Sequence, residues 1–344
     1  MPGPDLPERP RIFAGSPIST MDAFSEILSN IKLGGALYFN AEFSAPWGAG
    51  TPHSLDLAPF LAPGASHIVI YHLVIDGRAF AKSAAGKVIP LEPGDVVIFP
   101  HGEPHIMTSD PALPERAPYP EVVGKIRNRD FSLLRIGGGG ETTRLVCGFM
   151  ACDPQLSRPL LNGLPPVFKV NIRTGSTGRW LENSILHLVD EAASGMAGSD
   201  AMLAKLSEAL FVDTLRRYLA SLPGPQTGWL AGALDPVVGK SLSLLHSRPA
   251  HPWTIASLAK EAGLSRSALA ERFTGYLSEP PMTYLSRLRL RLAARALTST
   301  SRSVAEIAAG VGYESEAAFH RAFKREFEAP PAQYRRARVG TAKT

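Results

Sequence analysis

Residues 254–273 read TIASLAKEAGLSRSALAERF, and residues 303–323 read SVAEIAAGVGYESEAAFHRAF. The two stretches share alanine, glycine, serine and phenylalanine positions at an offset of 49 to 50 residues. The match continues into a shared motif, Pro280-Pro281-x-x-Tyr284 and Pro330-Pro331-x-x-Tyr334. An internal repeat of this kind predicts two copies of one supersecondary unit.

The sequence pattern of each copy predicts a helix, a glycine turn and a second helix. Thr254 and Ser303 are suitable N-cap residues at the head of apolar runs with helical spacing. Gly263 and Gly312 permit the left-handed backbone that ends a helix, and a serine then starts the next one. This is the helix-turn-helix arrangement, whose second helix enters the major groove of DNA. A generic helical array is the alternative, but two copies of such an array would not need the long helix predicted over about 281–298.

The charge of the chain is unevenly distributed. Residues 235–344 carry 17 Lys/Arg and 9 Asp/Glu, whereas residues 1–234 carry 19 Lys/Arg and 22 Asp/Glu. A basic module attached to a slightly acidic one indicates a polyanionic partner.

The 344 residues are 44% hydrophobic and 19% charged, which is typical of a globular chain with two or three domains. We expect no membrane partner, because there is neither a signal peptide nor a run of about 18 apolar residues. Cys147 and Cys152 predict two buried thiols in a reducing compartment, with a redox pair of the two as the alternative.

Residues of about 235–338 resemble the AraC/XylS family of bacterial transcription regulators, above all in AEIAAGVGYESEAAFHRAFKREFEAPPAQYRR. The shared features are an alanine-rich helix, a glycine-aromatic turn, Phe319 and Phe323 in the second helix, and the Pro-Pro-x-x-Tyr close. The resemblance implies a seven-helix domain with two helix-turn-helix units that regulates transcription. It also implies double-stranded DNA as a partner, RNA polymerase as a further expected partner, and a cytoplasmic location at the bacterial nucleoid.

Helical faces predict which side chains meet DNA bases. In the first recognition helix Leu269 and Phe273 face the core, and in the second Phe319, Ala322 and Phe323 do so. The outward residues are expected to read bases, as the matching positions of the family do: Ser267, Ala270, Glu271, Glu316, Ala317, His320 and Arg321. Arg321 can bond guanine, Glu316 a cytosine amino group, and Ala317 a thymine methyl.

Basic side chains beside these faces are expected to contact phosphates: Arg266, Arg272, Arg287 and Lys324. Because Ser267 and Ala270 are short, the first recognition helix is expected to discriminate less between bases than the second.

Residues of about 65–110 alternate short apolar runs with glycine and proline turns, which predicts antiparallel strands in a small barrel or jelly roll. The segment Gly94-x5-Pro100-x-Gly102-x2-His105 resembles the second motif of the cupin barrel, with Ser109 in place of its asparagine. The flanking stretches EFSAPWGAG, TRLVCGFMACDPQ and PLLNGLPPVFKV resemble the cupin-type sensory domain found ahead of this DNA-binding domain.

The expected fold class is α+β and multidomain: a cupin-like barrel with a helical hairpin, then an all-α domain with two helix-turn-helix units. The hairpin is predicted from apolar residues that recur with helical spacing in 179–194 and in 199–222. The expected domains are a ligand-sensing domain at 1–178, the hairpin at 179–222, a linker at 223–234 and the DNA-binding domain at 235–340. Family resemblance implies a homodimer formed through the hairpin.

A transcription regulator must respond to a signal, and the mouth of a barrel is a concave apolar site. We therefore expect an unknown small-molecule effector to bind there. The expected lining residues are Trp47, His72, Phe99, His105 and Met107. We expect no metal and no other cofactor, because only His72 and His105 fill cupin ligand positions. A bound metal would use that pair, with His67, His101 and Cys147 as substitutes.

The function expected from the whole sequence is therefore ligand-responsive, sequence-specific regulation of transcription by a protein that is not an enzyme. Two alternatives stay open. One is a metal-dependent cupin enzyme that carries a DNA-binding tail, and the other is a constitutive DNA-binding regulator with a non-sensing barrel.

Overall fold

A computed structural model describes residues 25, 34–63, 65, 67–114, 119–128, 130, 132–152, 157, 160–193, 196–222 and 228–340. Its N-terminal part is rich in strands: β1 (Gly34–Ser44), β2 (Gly48–Thr51), β3 (Ile68–Asp76), β4 (Ala79–Ser83), β5 (Val88–Leu91), β6 (Asp95–Phe99), β7 (His105–Thr108), β8 (Leu134–Gly137), β9 (Thr142–Ala151) and β10 (Phe168–Asn171). Helices α1 (Ser54–Leu61) and α2 (Pro120–Asn128) lie between strands of this part.

The strands form two sheets that enclose a common core. One has the order β10-β6-β3-β9-β1-β8 and the other β2-β7-β4-β5. The described pairings are antiparallel, except that β1 and β8 run parallel. This confirms the predicted cupin-like barrel architecture.

Strand β3 shows why the larger sheet is covered on both faces. Ile68, Ile70 and Val74 pack into the core between the sheets. The alternate residues Tyr71 and Leu73 join a second core on the outer face, because successive side chains of a strand point to opposite sides. A strand buried on both faces reads as one continuous apolar run.

The helical hairpin covers that outer face. It consists of α3 (Ser176–Ala193) and α4 (Ser199–Ser221), and its apolar stripes are buried in the same core as Tyr71. The hydroxyl of Tyr71 donates to Ser207 Oγ at 2.9 Å, which ties the sheet to α4. The first helix begins three residues before the predicted stripe, at Ser176.

Eight helices follow the hairpin in the described chain: α5 (Trp229–Leu234), α6 (Pro236–Ser247), α7 (Ile255–Ala262), α8 (Arg266–Leu277), α9 (Pro281–Ser299), α10 (Val304–Gly310), α11 (Glu316–Phe327) and α12 (Pro331–Gly340). The last seven of them lie within 235–340, as the resemblance implied. The pairs α7–α8 and α10–α11 are the two helix-turn-helix units, and α9 connects them.

The repeat is visible in the caps of these helices. Thr254 and Ser303 each form a capping box, in which the N-cap side chain and the third helical residue satisfy each other's backbone amides. Gly263 and Gly312 have φ of 80° and 87°, so both turns use the left-handed backbone that the sequence predicted.

The two helix-turn-helix units belong to different cores. The first shares one continuous core with the hairpin and the outer face of the barrel, whereas the second has a core of its own. Helix α5 belongs to the continuous core that joins the first unit to the barrel. Its Trp229 and Leu230 are buried there, and Leu230 packs beside Gly163. The indole N–H of Trp229 donates to the Tyr284 hydroxyl at 2.8 Å. Residues 223–227 of the predicted linker lie outside the described residues.

None of the helices in the described part of the chain has both the length and the apolar content that crossing a bilayer requires.

Candidate nucleic-acid interface and barrel cavity

Helix α8 is the second helix of the first helix-turn-helix unit. It starts at the Ser265 cap, whose hydroxyl accepts a hydrogen bond from the amide of Ala268. Leu269 and Phe273, on the inner side of the helix, are fully buried. On the other side Ser267 and Glu271 are exposed and Ala270 is half-buried. The structure therefore brings the three predicted base-reading residues together on the outer side of α8.

Helix α11 presents a more strongly charged surface. Phe319 and Phe323 are fully buried, while Glu316, Ala317 and Arg321 are exposed. Half-buried His320 lies 3.4 Å from Glu316, measured from Nε2 to Oε1. Within the described chain the guanidinium of Arg321 has no hydrogen bond or ion pair, so its donors are free to meet a base. Ala322, predicted as core, is only half-buried.

The four predicted phosphate contacts differ in their surroundings. Arg266 and Lys324 are exposed. Arg272 instead makes a two-pronged ion pair with Asp235, with Nε 3.1 Å from Oδ1 and an amino nitrogen 2.6 Å from Oδ2. Arg287 pairs with Glu279 at 3.0 Å. These two guanidinium groups already have a carboxylate partner before DNA arrives.

Asp235 was not predicted and has two structural roles. It caps α6 by accepting hydrogen bonds from the amides of Val237 and Val238, and it receives Arg272. Burial acts to raise the pKa of Asp235, but the bonds from Arg272 and the two amides outweigh burial and hold that pKa below its usual value. The Asp-Pro pair ahead of an apolar run was the available sequence signal for this cap.

A cavity of about 240 Å³ opens within the barrel. Its inner wall comes from barrel residues that include Phe43, Met107 and Leu145. Helices α1 and α2 close the remaining sides through apolar side chains: Leu57, Phe60, Val122, Val123 and Ile126. Half-buried Tyr119, just ahead of α2, also lines it.

Two polar side chains of the inner cavity wall, His72 and Cys147, belong to one hydrogen-bonded row. The Nδ1 of His72 lies 2.7 Å from Cys147 Sγ, and its Nε2 lies 2.7 Å from His105 Nε2. The row ends where His105 Nδ1 meets the carbonyl of Glu103 at 2.9 Å. Burial lowers the pKa of both histidines, that of His105 to about 4, and raises the pKa of the Cys147 thiol.

The predicted pocket residues divide into two groups. His72 and Met107 line the cavity. His105 lies one step behind His72, and Phe99 stacks on His105 with ring centres 3.6 Å apart. Trp47 is fully buried against Phe43 and does not line the cavity.

The residues do not fit a cupin metal as they are arranged. His72 turns different ring nitrogens toward Cys147 and His105, so the three groups do not converge on one point. His67 and His101 meet the backbone carbonyls of Pro100 and Leu164 instead. In the part of the chain that the structure describes, no group of three or more His, Cys, Asp or Glu side chains is placed to hold a metal ion.

Two further features bear on the sequence predictions: the position of the two cysteines and the presence of helix α2. Cys147 and Cys152 form no disulfide with each other, because they are buried in different cores. Helix α2 was not predicted, although Val122, Val123 and Ile126 have the spacing of one helical face.

Comparison with protein-family models assigns residues 22–220 to the family described as "Cupin" and residues 258–337 to the one described as "Helix-turn-helix domain". The first match alone covers more than half of the chain.

Two curated bacterial relatives match nearly the whole chain. The HTH-type transcriptional regulator AlkR of Acinetobacter baylyi is 30% identical over 92% of this chain and 99% of its own length. The RCS-specific HTH-type transcriptional activator RclR of Escherichia coli K12 is 28% identical over 92% of this chain and 97% of its own length. A crystal structure of a Chromobacterium violaceum transcriptional regulator with an AraC-type DNA-binding domain is 28% identical over 32% of this chain and 96% of that one, with a TM-score of 0.30.

Proposed function

Because this chain belongs to the AraC-type family of helix-turn-helix transcription regulators, we propose that both recognition helices read one DNA site and that occupancy of the barrel cavity controls this reading. The observation that carries the proposal is the outer surface of α11. There Arg321, without a partner in the described chain, and Glu316 are both exposed, while Phe319 and Phe323 of the same helix are buried.

The assignment of bases follows from side-chain chemistry. Arg321 can donate two parallel hydrogen bonds to guanine, while Glu316 can accept from a cytosine amino group and Ala317 can touch a thymine methyl. His320 is the fourth base-reading candidate on this helix. On α8 the candidates are Ser267, Ala270 and Glu271, and their shorter side chains support weaker discrimination by the first unit.

Phosphate binding is proposed first for Arg266 and Lys324, because both are exposed. Arg272 and Arg287 remain candidates, but each would have to leave or share its carboxylate partner. Electrostatic attraction from the basic C-terminal module supports association with the DNA backbone in either case.

The spacing of the two units supports one continuous site. Helix α9 has 19 residues, and at about 1.5 Å per residue it spans roughly 28 Å. With its flanking turns it can hold two recognition helices about one DNA turn, ~34 Å, apart. We therefore expect a protected operator of about 17–20 base pairs, read by one chain in two successive major grooves.

The remaining parts are assigned as follows. Residues 1–178 sense the effector, 179–222 form a homodimer contact, 223–234 link the modules, and 235–340 bind DNA in the bacterial cytoplasm, where RNA polymerase is a further partner. Exposed Trp180 on α3 and Met202 on α4 support a contact through the hairpin. The continuous core that joins the barrel, α5 and the first helix-turn-helix unit supports communication between cavity and DNA-binding domain.

Genomic footprinting with and without the protein tests the DNA part of the proposal. We expect one or a few sites protected over about 17–20 base pairs, with a preference for guanine at one base pair that is relaxed by Arg321→Ala. Protection no longer than one half-site would contradict reading by both helices. If operator affinity is unchanged across a ligand library, the barrel is a scaffold and the regulator is constitutive.

Two measurements address the enzyme alternative directly. Stoichiometric iron, manganese or zinc in the purified protein, lost together with a measurable turnover on His105→Ala, would support a cupin enzyme. The separate bonding of the two nitrogens of His72 favours the regulator instead.

A further inference from the structure

The hydrogen atoms in the row behind the cavity can be assigned from chemistry alone. A carbonyl oxygen only accepts, so His105 Nδ1 must carry a hydrogen and donate it to Glu103. A neutral imidazole then has an acceptor at Nε2, and His72 Nε2 donates to it. That leaves His72 Nδ1 as the acceptor for the Cys147 thiol.

This assignment is internally consistent and contains no charge. Each ring nitrogen of His72 and His105 has a partner of the opposite hydrogen-bonding type, and the Cys147 hydrogen points toward His72 rather than into the cavity. Burial keeps both imidazoles neutral, since it lowers the pKa of each, and it keeps Cys147 a thiol, since it raises the pKa of that group. His72 and Cys147 line the cavity but offer a ligand neither a charge nor a spare N–H.

No other buried polar side chain of the described wall lacks a partner. Four described side chains have a buried, unpaired nitrogen or oxygen, namely Asn40, Trp47, Ser54 and Arg144, and none of them lines the cavity. Pockets built for polar ligands hold polar groups that the ligand itself satisfies. Apart from the hydroxyls of half-buried Thr51 and Tyr119, the described wall therefore offers a polar ligand no side-chain group to replace the hydrogen bonds it would lose with water.

The charged groups lie at the rim. Asp56 is the one charged residue among the lining side chains, and it is exposed. Arg127 is exposed as well, with its guanidinium 5.0 Å from the ring centre of Phe60. A carboxylate or ammonium group drawn into the cavity would lose its hydration without meeting an opposite charge there.

We propose that the cavity selects an uncharged, predominantly hydrocarbon molecule of about ten carbon atoms. The size follows from the volume of about 240 Å³, since an apolar cavity of roughly 150 Å³ accommodates benzene. This proposal rests on the proposed function, because it names the chemical class of the effector.

Three probes that share one aromatic ring system and carry different charges test the class. Naphthalene has the expected size without a charge, while 2-naphthoate and 2-(aminomethyl)naphthalene carry one charge of either sign. Calorimetric titration of the full-length protein without DNA should show naphthalene binding and at least tenfold weaker binding of both charged analogues. Binding of either charged analogue as tight as that of naphthalene, or no binding of naphthalene, would overturn the proposal.

Substitutions on α2 locate the site from its outer wall, because no described residue of this helix is fully buried. Val123→Trp and Ile126→Trp fill the cavity from its outer side and should each abolish naphthalene binding. Glu121→Trp adds the same side chain at an exposed position outside the lining and should bind like the parent. Equal naphthalene affinity in all three variants would place the ligand elsewhere and reject the cavity as its site.

The operator assay separates the two levels of failure. If naphthalene fails to bind while the operator is protected as expected, the ligand class is wrong and the DNA-binding function stands. If naphthalene binds selectively but no specific DNA site is found, the ligand class stands and the proposed DNA-binding function is wrong.

Discussion

Ser278 and Glu328 lie fifty residues apart and adopt the same left-handed backbone conformation, with φ of 57° and 58°. Each is the residue at which a recognition helix ends, α8 in the first case and α11 in the second, and each stands two residues before a Pro-Pro pair. The repeat thus includes a backbone geometry that neither side chain favours. Glycine is the residue that adopts this conformation without steric penalty.

We therefore expect Ser278→Gly and Glu328→Gly each to raise the free energy of unfolding by up to about 1 kcal/mol. Denaturant unfolding of the full-length protein measures the change. Ala309→Gly serves as the control, because it places glycine inside α10 and should destabilise by about 1 kcal/mol. Destabilisation by the first two substitutions would show that the Ser278 and Glu328 side chains stabilise the folded protein by more than the backbone strain destabilises it.

The glycine turns of the two units predict unequal tolerance to alanine. Gly263 and Gly312 share a left-handed backbone, but a Cβ on Gly263 would meet open space. A Cβ on Gly312 would lie 2.7 Å from the carbonyl oxygen of Ala250 and 2.8 Å from its Cα, closer than such atoms approach.

Gly263→Ala should cost only the backbone strain, about 1 kcal/mol, whereas Gly312→Ala should cost roughly 2–4 kcal/mol through added overlap. Hydrogen exchange reports each loss locally, in the α7 and α8 amides for Gly263→Ala and in the α10 and α11 amides for Gly312→Ala. Similar losses in both variants would mean that the Ala250 segment moves aside freely.

The sequence predicted local features of the DNA-binding domain well. The capping residues Thr254 and Ser303 and the buried Phe273 and Phe323 follow from patterns only a few residues long, and the structure confirms them. Helical periodicity decides such features within one element.

Features that depend on distant contacts were less predictable. Arg272 was expected at a phosphate, but it pairs with Asp235, which lies 37 residues earlier in the chain. The cavity wall likewise combines Leu57 with Val123, which are neighbours only after the barrel closes. Trp47 was expected to line the cavity, yet its ring packs against Phe43 inside the core.

Arg321 and Lys324 should affect DNA binding in different ways. Arg321→Ala should weaken binding by about 1–3 kcal/mol on the operator and relax the preference at one base pair, because direct base contacts carry sequence information. Lys324→Ala should weaken binding to operator and scrambled DNA alike. It should also lower by about one the number of ions released on binding, which is read from the slope of log affinity against log salt concentration. Competition titrations at several salt concentrations separate these patterns. An equal loss on both DNAs for Arg321→Ala would remove Arg321 from the base-reading set.

The buried histidines predict that stability falls in mild acid. Burial lowers the pKa of His105 to about 4, and that of His246 in α6 to about 3, against about 6.5 for an unfolded histidine. The unfolded chain therefore binds more protons than the folded chain below pH 6.5. The stabilisation relative to the unfolded state is fully present above that pH and is lost as the pH falls toward each folded value.

Urea unfolding between about pH 7 and pH 4 should show this slope, and two matched variants assign it. His105→Gln and His246→Gln should each flatten the pH dependence of the free energy of unfolding, because glutamine does not titrate. An unchanged slope in His105→Gln would mean that His105 is not held neutral by its burial, which would also remove the basis for an uncharged row behind the cavity.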